Sequence, residues 1–106
     1  MDFHFTPPIH PGDMLRTEYM VPLGLTPGQL AKAIGVPRTR IERLVREETG
    51  ISVDTADRLA RYFGSSVKFW LNLQNHYEID CLRLDEARER AVAKITPRPD
   101  LGDIAA

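Results

Sequence analysis

The chain has 106 residues, 42% hydrophobic, 27% charged and 8% aromatic, the composition of one globular domain with too little length for a large catalytic one. Fourteen Lys and Arg against fifteen Asp and Glu leave a formal charge of −1, so overall charge cannot drive polyanion binding and any nucleic-acid contact must come from a local patch. Cys81 is the single cysteine, which excludes an intrachain disulfide and a cysteine-based zinc site and leaves it a packing role.

Residues 1–8 mix aromatics with the Pro7-Pro8 pair and read as an extended arm, without the basic and apolar regions of a signal peptide. Pro11 suits the first turn of a helix that carries Met14, Leu15 and Tyr19, with Pro22 and Gly24 expected to stop it near Met20. Thr26, Pro27 and Gln29 form a capping box for a second helix, in which Leu30, Ala31 and Ile34 face inward and Gly35 ends the run. Pro37 restarts the chain at once. Ile41, Leu44 and Val45 are the inner stripe of a helix from Arg38 to Arg46, with Thr39, Arg43 and Arg46 opposite and Arg38 and Arg40 flanking its leading end.

After Gly50, Ser52 is a candidate cap, and Ile51 is positioned for a hydrophobic staple. The next helix carries Ala56, Leu59, Ala60 and Phe63, and Gly64 closes it. Ser65 or Ser66 caps a last helix expected over about 66–95, with an apolar stripe through Trp70, Leu73, Tyr77 and Leu84, and Pro97 and Pro99 end it. Residues 96–106 read as a flexible tail. No segment alternates with period two, and no apolar run reaches the 18 residues that a membrane span needs. The expectation is an all-α domain of five helices over residues 9–95, without a sheet or internal repeat.

Two short helices joined by Gly35-Val36-Pro37 form a helix-turn-helix unit over about 26–46, in which the glycine permits the positive φ of a steep crossing. The second helix of such a unit lays its outer face in the major groove. Between Ala31 and Arg46, Lys32, Arg38, Arg40, Arg43 and Arg46 stand against Glu42 alone, a local charge of +4 that leaves −5 on the rest of the chain.

The blocks IHPGDMLRTEY, PLGLTPGQLAKAIGVPRTRIERLV, GISVDTADRLARYFG and FWLNLQNHY resemble the HigA antitoxins, which are lambda-repressor-like, XRE-type helix-turn-helix proteins; the likeness spans Ile9 to Tyr77, 69 of 106 residues. The resemblance implies a five-helix lambda-repressor-like DNA-binding domain with an extended C-terminal helix. It also implies a cytoplasmic antitoxin that neutralises a RelE-like endoribonuclease, a HigB-type toxin, and as a homodimer binds double-stranded palindromic operator DNA to repress its own operon. Carried over position by position, Arg38, Thr39 and Arg43 would reach base edges, Arg40 and Arg46 would meet the backbone, and Lys32 belongs to the same basic region. The chain departs from the family pattern at two places. Pro27 replaces a glutamine that touches phosphate in many relatives, and Arg46-Glu47-Glu48-Thr49 replaces a loop rich in Asn, Gly and Lys.

The dimer surface is expected on the last helix, at Trp70, Leu73, Tyr77 and Leu84, because its apolar stripe outlasts a compact core. The toxin surface is unassigned; the arm at residues 1–8, the helix at 11–20 and the C-terminal segment each offer spare apolar residues. His4, His10 and His76 lack metal-ligand spacing, Asp85, Glu86 and Glu89 read as a solvated face, and no nucleophile triad or phosphate loop is present. No cofactor, metal or enzymatic activity is therefore expected. Three functional classes stay open: an antitoxin that autorepresses, a repressor with no toxin, and a protein-interaction module that has lost DNA binding. Glu47 and Glu48 favour the third.

Overall fold

The computed structural model describes residues 7–101, so most of the expected N-terminal arm and the end of the expected tail lie outside the described residues. The described chain is helical, with no strand. Helix α1 is a continuous run over 11–23, α2 is Pro27–Ile34, α3 is Arg38–Val45, α4 is Val53–Phe63, α5 is Val67–Leu84 and α6 is Glu86–Val92, followed by one 3-10 turn at Pro99–Leu101. Six helices stand where five were expected, because the span of the expected last helix is divided between α5 and α6.

Helix α1 passes the point at which Pro22 was expected to end it. Its middle, Leu15–Met20, is wound as a π-helix, and Val21–Leu23 resumes the α form. The wider turn just before Pro22 makes room for a ring that has no N–H to give, and the helix stops only at Gly24, in the left-handed region at φ 65°. The capping box of α2 forms as read. The Thr26 hydroxyl accepts from the Gln29 N–H at 3.2 Å, and the Gln29 side chain accepts from the Thr26 N–H at 2.9 Å. Ser52 caps α4 by accepting from the Thr55 N–H, and Ile51 and Ala56 on either side of that cap are both buried.

The two candidate serines before α5 divide the work. Ser66 caps the helix by accepting from the Phe69 N–H, and Ser65 accepts from the Trp70 indole N–H at 2.9 Å. The last helix, expected to be unbroken over about 66–95, is interrupted at Asp85. That residue is extended, and its carboxylate accepts from the Arg88 N–H, so one local cap ends α5 and begins α6.

Leu15, Leu30, Ile41, Leu44, Leu59 and Trp70 are fully buried and draw α1 to α5 around one core. Trp70 lies 5.0 Å from the Tyr19 ring centroid and 5.1 Å edge-on from that of Phe69, with Phe63 behind. Its place in the dimer expectation is corrected here: an indole wholly inside its own protomer has no surface to offer a second copy. Leu73 and Tyr77 are half-buried against the domain, and Leu84 is exposed.

The start of α1 lies directly on the end of α3. A Cβ on Gly12 would stand 1.8 Å from the Leu44 carbonyl oxygen, so only glycine permits this approach. Gly12→Ala is expected to force the two helices apart and to lower stability by about 3 kcal/mol, read from a urea melt followed by far-UV dichroism.

Candidate nucleic-acid interface

The site is the outer face of α3, and its position follows from how the two ends of that helix are held. At its leading end, Gly35 adopts φ 73°, so α2 ends and Val36-Pro37 turns the chain into α3. The Arg58 guanidinium of α4 donates to the Ile34 carbonyl at 2.8 Å and to the Gly35 carbonyl at 3.2 Å, satisfying acceptors that the end of α2 leaves open. At its trailing end, Arg16 of α1 donates to the Val45 carbonyl while also pairing with Asp13. A positive group on a helix C-terminus is favourable against the helix dipole. Helix α3 has eight residues, too few to hold their form without such supports.

The His10-Pro11-Gly12 sequence belongs to the same support. His10 is buried, and its Nδ1 accepts from the Gly12 N–H at 2.9 Å as the N-cap of α1. Its ring meets Tyr77 edge-on at 4.8 Å, which ties α1 to α5. Helix α3 then closes in a Schellman arrangement, with the Glu48 N–H on the Arg43 carbonyl and the Glu47 N–H on that of Leu44. The residue at the left-handed position is Glu47, at φ 63°, where glycine or asparagine would be unstrained.

Ile41 and Leu44 face the core, which leaves Arg38, Thr39, Arg40 and Arg43 exposed on the outer side. Arg46 is exposed too, as the C-cap of α3 and not within it, and Lys32 is exposed on α2. Each of the first three arginines meets a carboxylate. The Arg38 Nε lies 3.3 Å from Glu42, Nη1 of Arg40 lies 2.7 Å from Asp54, and Nε of Arg43 lies 4.0 Å from Glu48. Lys32 and Arg46 have no ion pair among the described residues. The Asp54 carboxyl is held below its ordinary value first by Arg40 and then by Arg58, both of which hydrogen-bond to its charged form. A shallow groove of about 400 Å³ runs beside α3, and Thr39, Arg40, Arg43, Thr49 and Ser52 line part of it. A convex helix edged by arginines, with a hydroxyl-lined groove alongside, suits a polyanion with readable edges better than a small enclosed ligand.

Sequence reasoning singled out Thr39 and five basic residues, Lys32, Arg38, Arg40, Arg43 and Arg46, and all six side chains are exposed in the structure. It missed Asp54, Arg58 and Arg16. The i, i+4 spacing of Asp54 and Arg58 was visible, but their reach to α3 and to the end of α2 depends on how the helices cross. Among the described residues no three His, Cys, Asp or Glu side chains group closely enough to hold a metal, and no helix is long and apolar enough to cross a membrane.

Residues 17–70 match the helix-turn-helix family. Virulence-associated protein I of Dichelobacter nodosus is 46% identical, covering 86% of this chain and 82% of its own length. Antitoxin HigA-1 of Vibrio cholerae is 33% identical over 68% of each chain. The Pseudomonas aeruginosa antitoxin HigA, solved with the higBA promoter, superposes with a TM-score of 0.77 at 39% identity, covering 85% of this chain and 97% of that one. Two of these three are named as antitoxins.

Burial pushes the His10 imidazole below its ordinary value of 6.5, against weaker opposite pulls from the Glu47 and Asp13 carboxylates. The neutral ring is the form that can accept from Gly12. Because the folded-state value lies lower than the unfolded one, the cap's contribution is complete above the unfolded value and is lost as pH falls toward the folded one. Lowering the pH from about 7.5 to about 5.5 is therefore expected to lower the melting temperature. His10→Asn keeps a capping oxygen without a titration in this range. It should start from a lower melting temperature, having lost the contact with Tyr77, and should show a flatter pH dependence across the same series of melts.

Proposed function

The chain belongs to the HigA-type, XRE-like helix-turn-helix family, and from that membership we propose that it is an antitoxin that also represses its own operon. In this reading a dimer sets two copies of α3 in successive major grooves of a palindromic operator, and another surface holds and neutralises a RelE-like endoribonuclease toxin of the HigB type. The observation that carries the reading is the outer face of α3, where Arg38, Thr39 and Arg43 project from a helix braced at both ends. The promoter-bound Pseudomonas aeruginosa antitoxin, with 39% identity and the same fold, supports it. Arg38, Thr39 and Arg43 would read base edges, and Arg46 and Lys32 would meet phosphates. Both partners place the protein in the cytoplasm, where a lone exposed Cys81 stays reduced. A second reading, an interaction module without DNA binding, draws on the carboxylates that face Arg38, Arg40 and Arg43.

Base and phosphate contacts fail differently. Arg43→Ala is expected to weaken operator binding by about 1–3 kcal/mol and to flatten the preference at one base pair of each half-site. Arg46→Ala is expected to weaken binding to every sequence alike and to lower the salt slope by about one per subunit. Fluorescence anisotropy on operator and scrambled duplexes at several salt concentrations separates the two. Both variants should still co-purify with the product of the adjacent gene. Binding of Arg43→Ala at the parent's strength would exclude α3 as the reading helix and leave the interaction-module reading.

A single helix-turn-helix reads only a few base pairs, and two-fold pairing doubles the site. With Trp70 enclosed, the dimer surface passes to the exposed apolar residues of α5, Ile79, Leu82 and Leu84. Sedimentation at about 20–50 μM should show a dimer, since an interface of ordinary size holds at such concentrations. Leu82→Asp combined with Leu84→Asp should leave a folded monomer.

A further inference from the structure

We propose that Glu42 and Glu48 are positioning residues for operator recognition, Glu42 by a hydrogen bond to the Arg38 Nε and Glu48 by an ion pair beside the Arg43 Nε, so that the terminal forks are presented to guanine. This rests on the reading of α3 as the helix that enters the groove. A guanidinium has two usable edges. The end-on edge carries the two Nη groups and matches the O6 and N7 of guanine with parallel hydrogen bonds. The other edge includes Nε.

Glu42 accepts from the Arg38 Nε at 3.3 Å, one turn along the same helix, and Nε is also the Arg43 nitrogen that Glu48 approaches, at 4.0 Å. The Nη groups of both arginines make no hydrogen bond among the described residues, so both forks stay available. Arg40 is the contrast. It gives an Nη to Asp54 at 2.7 Å, and Asp54 also binds Arg58, which holds the turn, so the fork of Arg40 is tied to the scaffold.

A carboxylate on the Nε edge does two things. It restricts a long side chain that would otherwise lose rotamer freedom on binding. It also opposes the same arginine's swing to a phosphate, a contact without sequence information. The pairs survive in the operator complex, where the fork alone is used. They therefore favour cognate over random DNA, although each carboxylate also repels the backbone. This accounts for acidic residues at the edge of a face built to meet a polyanion.

Glu47 supplies an internal control. It adjoins Glu48, carries the same charge and has no ion pair among the described residues. The experiment measures affinity for operator and scrambled duplexes by fluorescence anisotropy, on the full chain, for the parent, Glu42→Gln, Glu48→Gln and Glu47→Gln, with a thermal melt of each. Glu48→Gln and Glu42→Gln are expected to bind scrambled DNA more tightly and to lose about 3- to 10-fold in the operator-to-scrambled ratio, a fraction of what a bidentate guanine contact is worth. Glu47→Gln should strengthen binding to both duplexes by one factor and keep the ratio. If Glu48→Gln and Glu42→Gln behave as Glu47→Gln does, the carboxylates only repel and the proposal fails. Should Glu42→Gln not fold, Glu48→Gln decides alone, since its side chain is exposed beyond the end of the helix. A parent protein with no preference for its operator overturns the DNA-binding reading itself, and this proposal with it.

Discussion

The backbone contact between Gly12 and Leu44 is the constraint on which the rest depends. An eight-residue helix has little stability of its own, and half of α3's surface has to face solvent to be useful. Its fixed position must come from neighbours. Glycine lets α1 approach the last turn of α3 at backbone distance; His10 keeps the start of α1 helical, and Arg16 closes the carbonyl end of α3. Arg58 performs the matching service at the leading end through the carbonyls of Ile34 and Gly35. The outer face is thereby set by groups that need never touch a ligand.

The charges follow a related logic. The chain is close to neutral, yet five of its fourteen basic residues fall between Lys32 and Arg46. Most of the carboxylates that balance them are close by, on α3 itself, on the loop after it and on the first turn of α4. Pairs this exposed contribute little to stability. Their effect is on which arginine is free to leave its partner, and in what direction. The same loop accepts a glutamate at positive φ and an acidic pair at a helix C-terminus, two local disadvantages that the fold does not require.

Much of this was legible in advance. The box at Thr26 and Gln29, the turn at Gly35, the cap at Ser52 and the apolar stripes are rules of one or two helical turns, and they hold in the structure. The misreadings also have local causes. Pro22 did not end α1, because a π-wound stretch accommodates a proline that an α-helix would reject, and nothing in the apolar spacing announces that winding. Asp85 was passed over within a continuing stripe, although its carboxylate competes for the backbone as a cap. The apolar stripe of the last helix does not separate a residue that faces a second copy from one that faces the core, and Trp70 is enclosed among Tyr19, Phe63 and Phe69 of its own protomer. The roles of Arg16, Asp54 and Arg58 could not be read at all, since each acts across a helix crossing and across more than a dozen residues of chain.

Trp70 is the only indole in the chain, and this gives the protein a built-in optical reporter. Its ring is sealed from water, its N–H is engaged by Ser65, and two neighbouring tyrosine and phenylalanine rings come from α1 and α4. Emission from such a site is blue-shifted in the native state and moves to the red when α1, α4 and α5 separate. Substitutions on the outer face of α3 leave those surroundings untouched. One fluorescence channel therefore follows the integrity of the domain independently of whatever occupies the recognition face, so a loss of binding can be told apart from a loss of fold within a single cuvette.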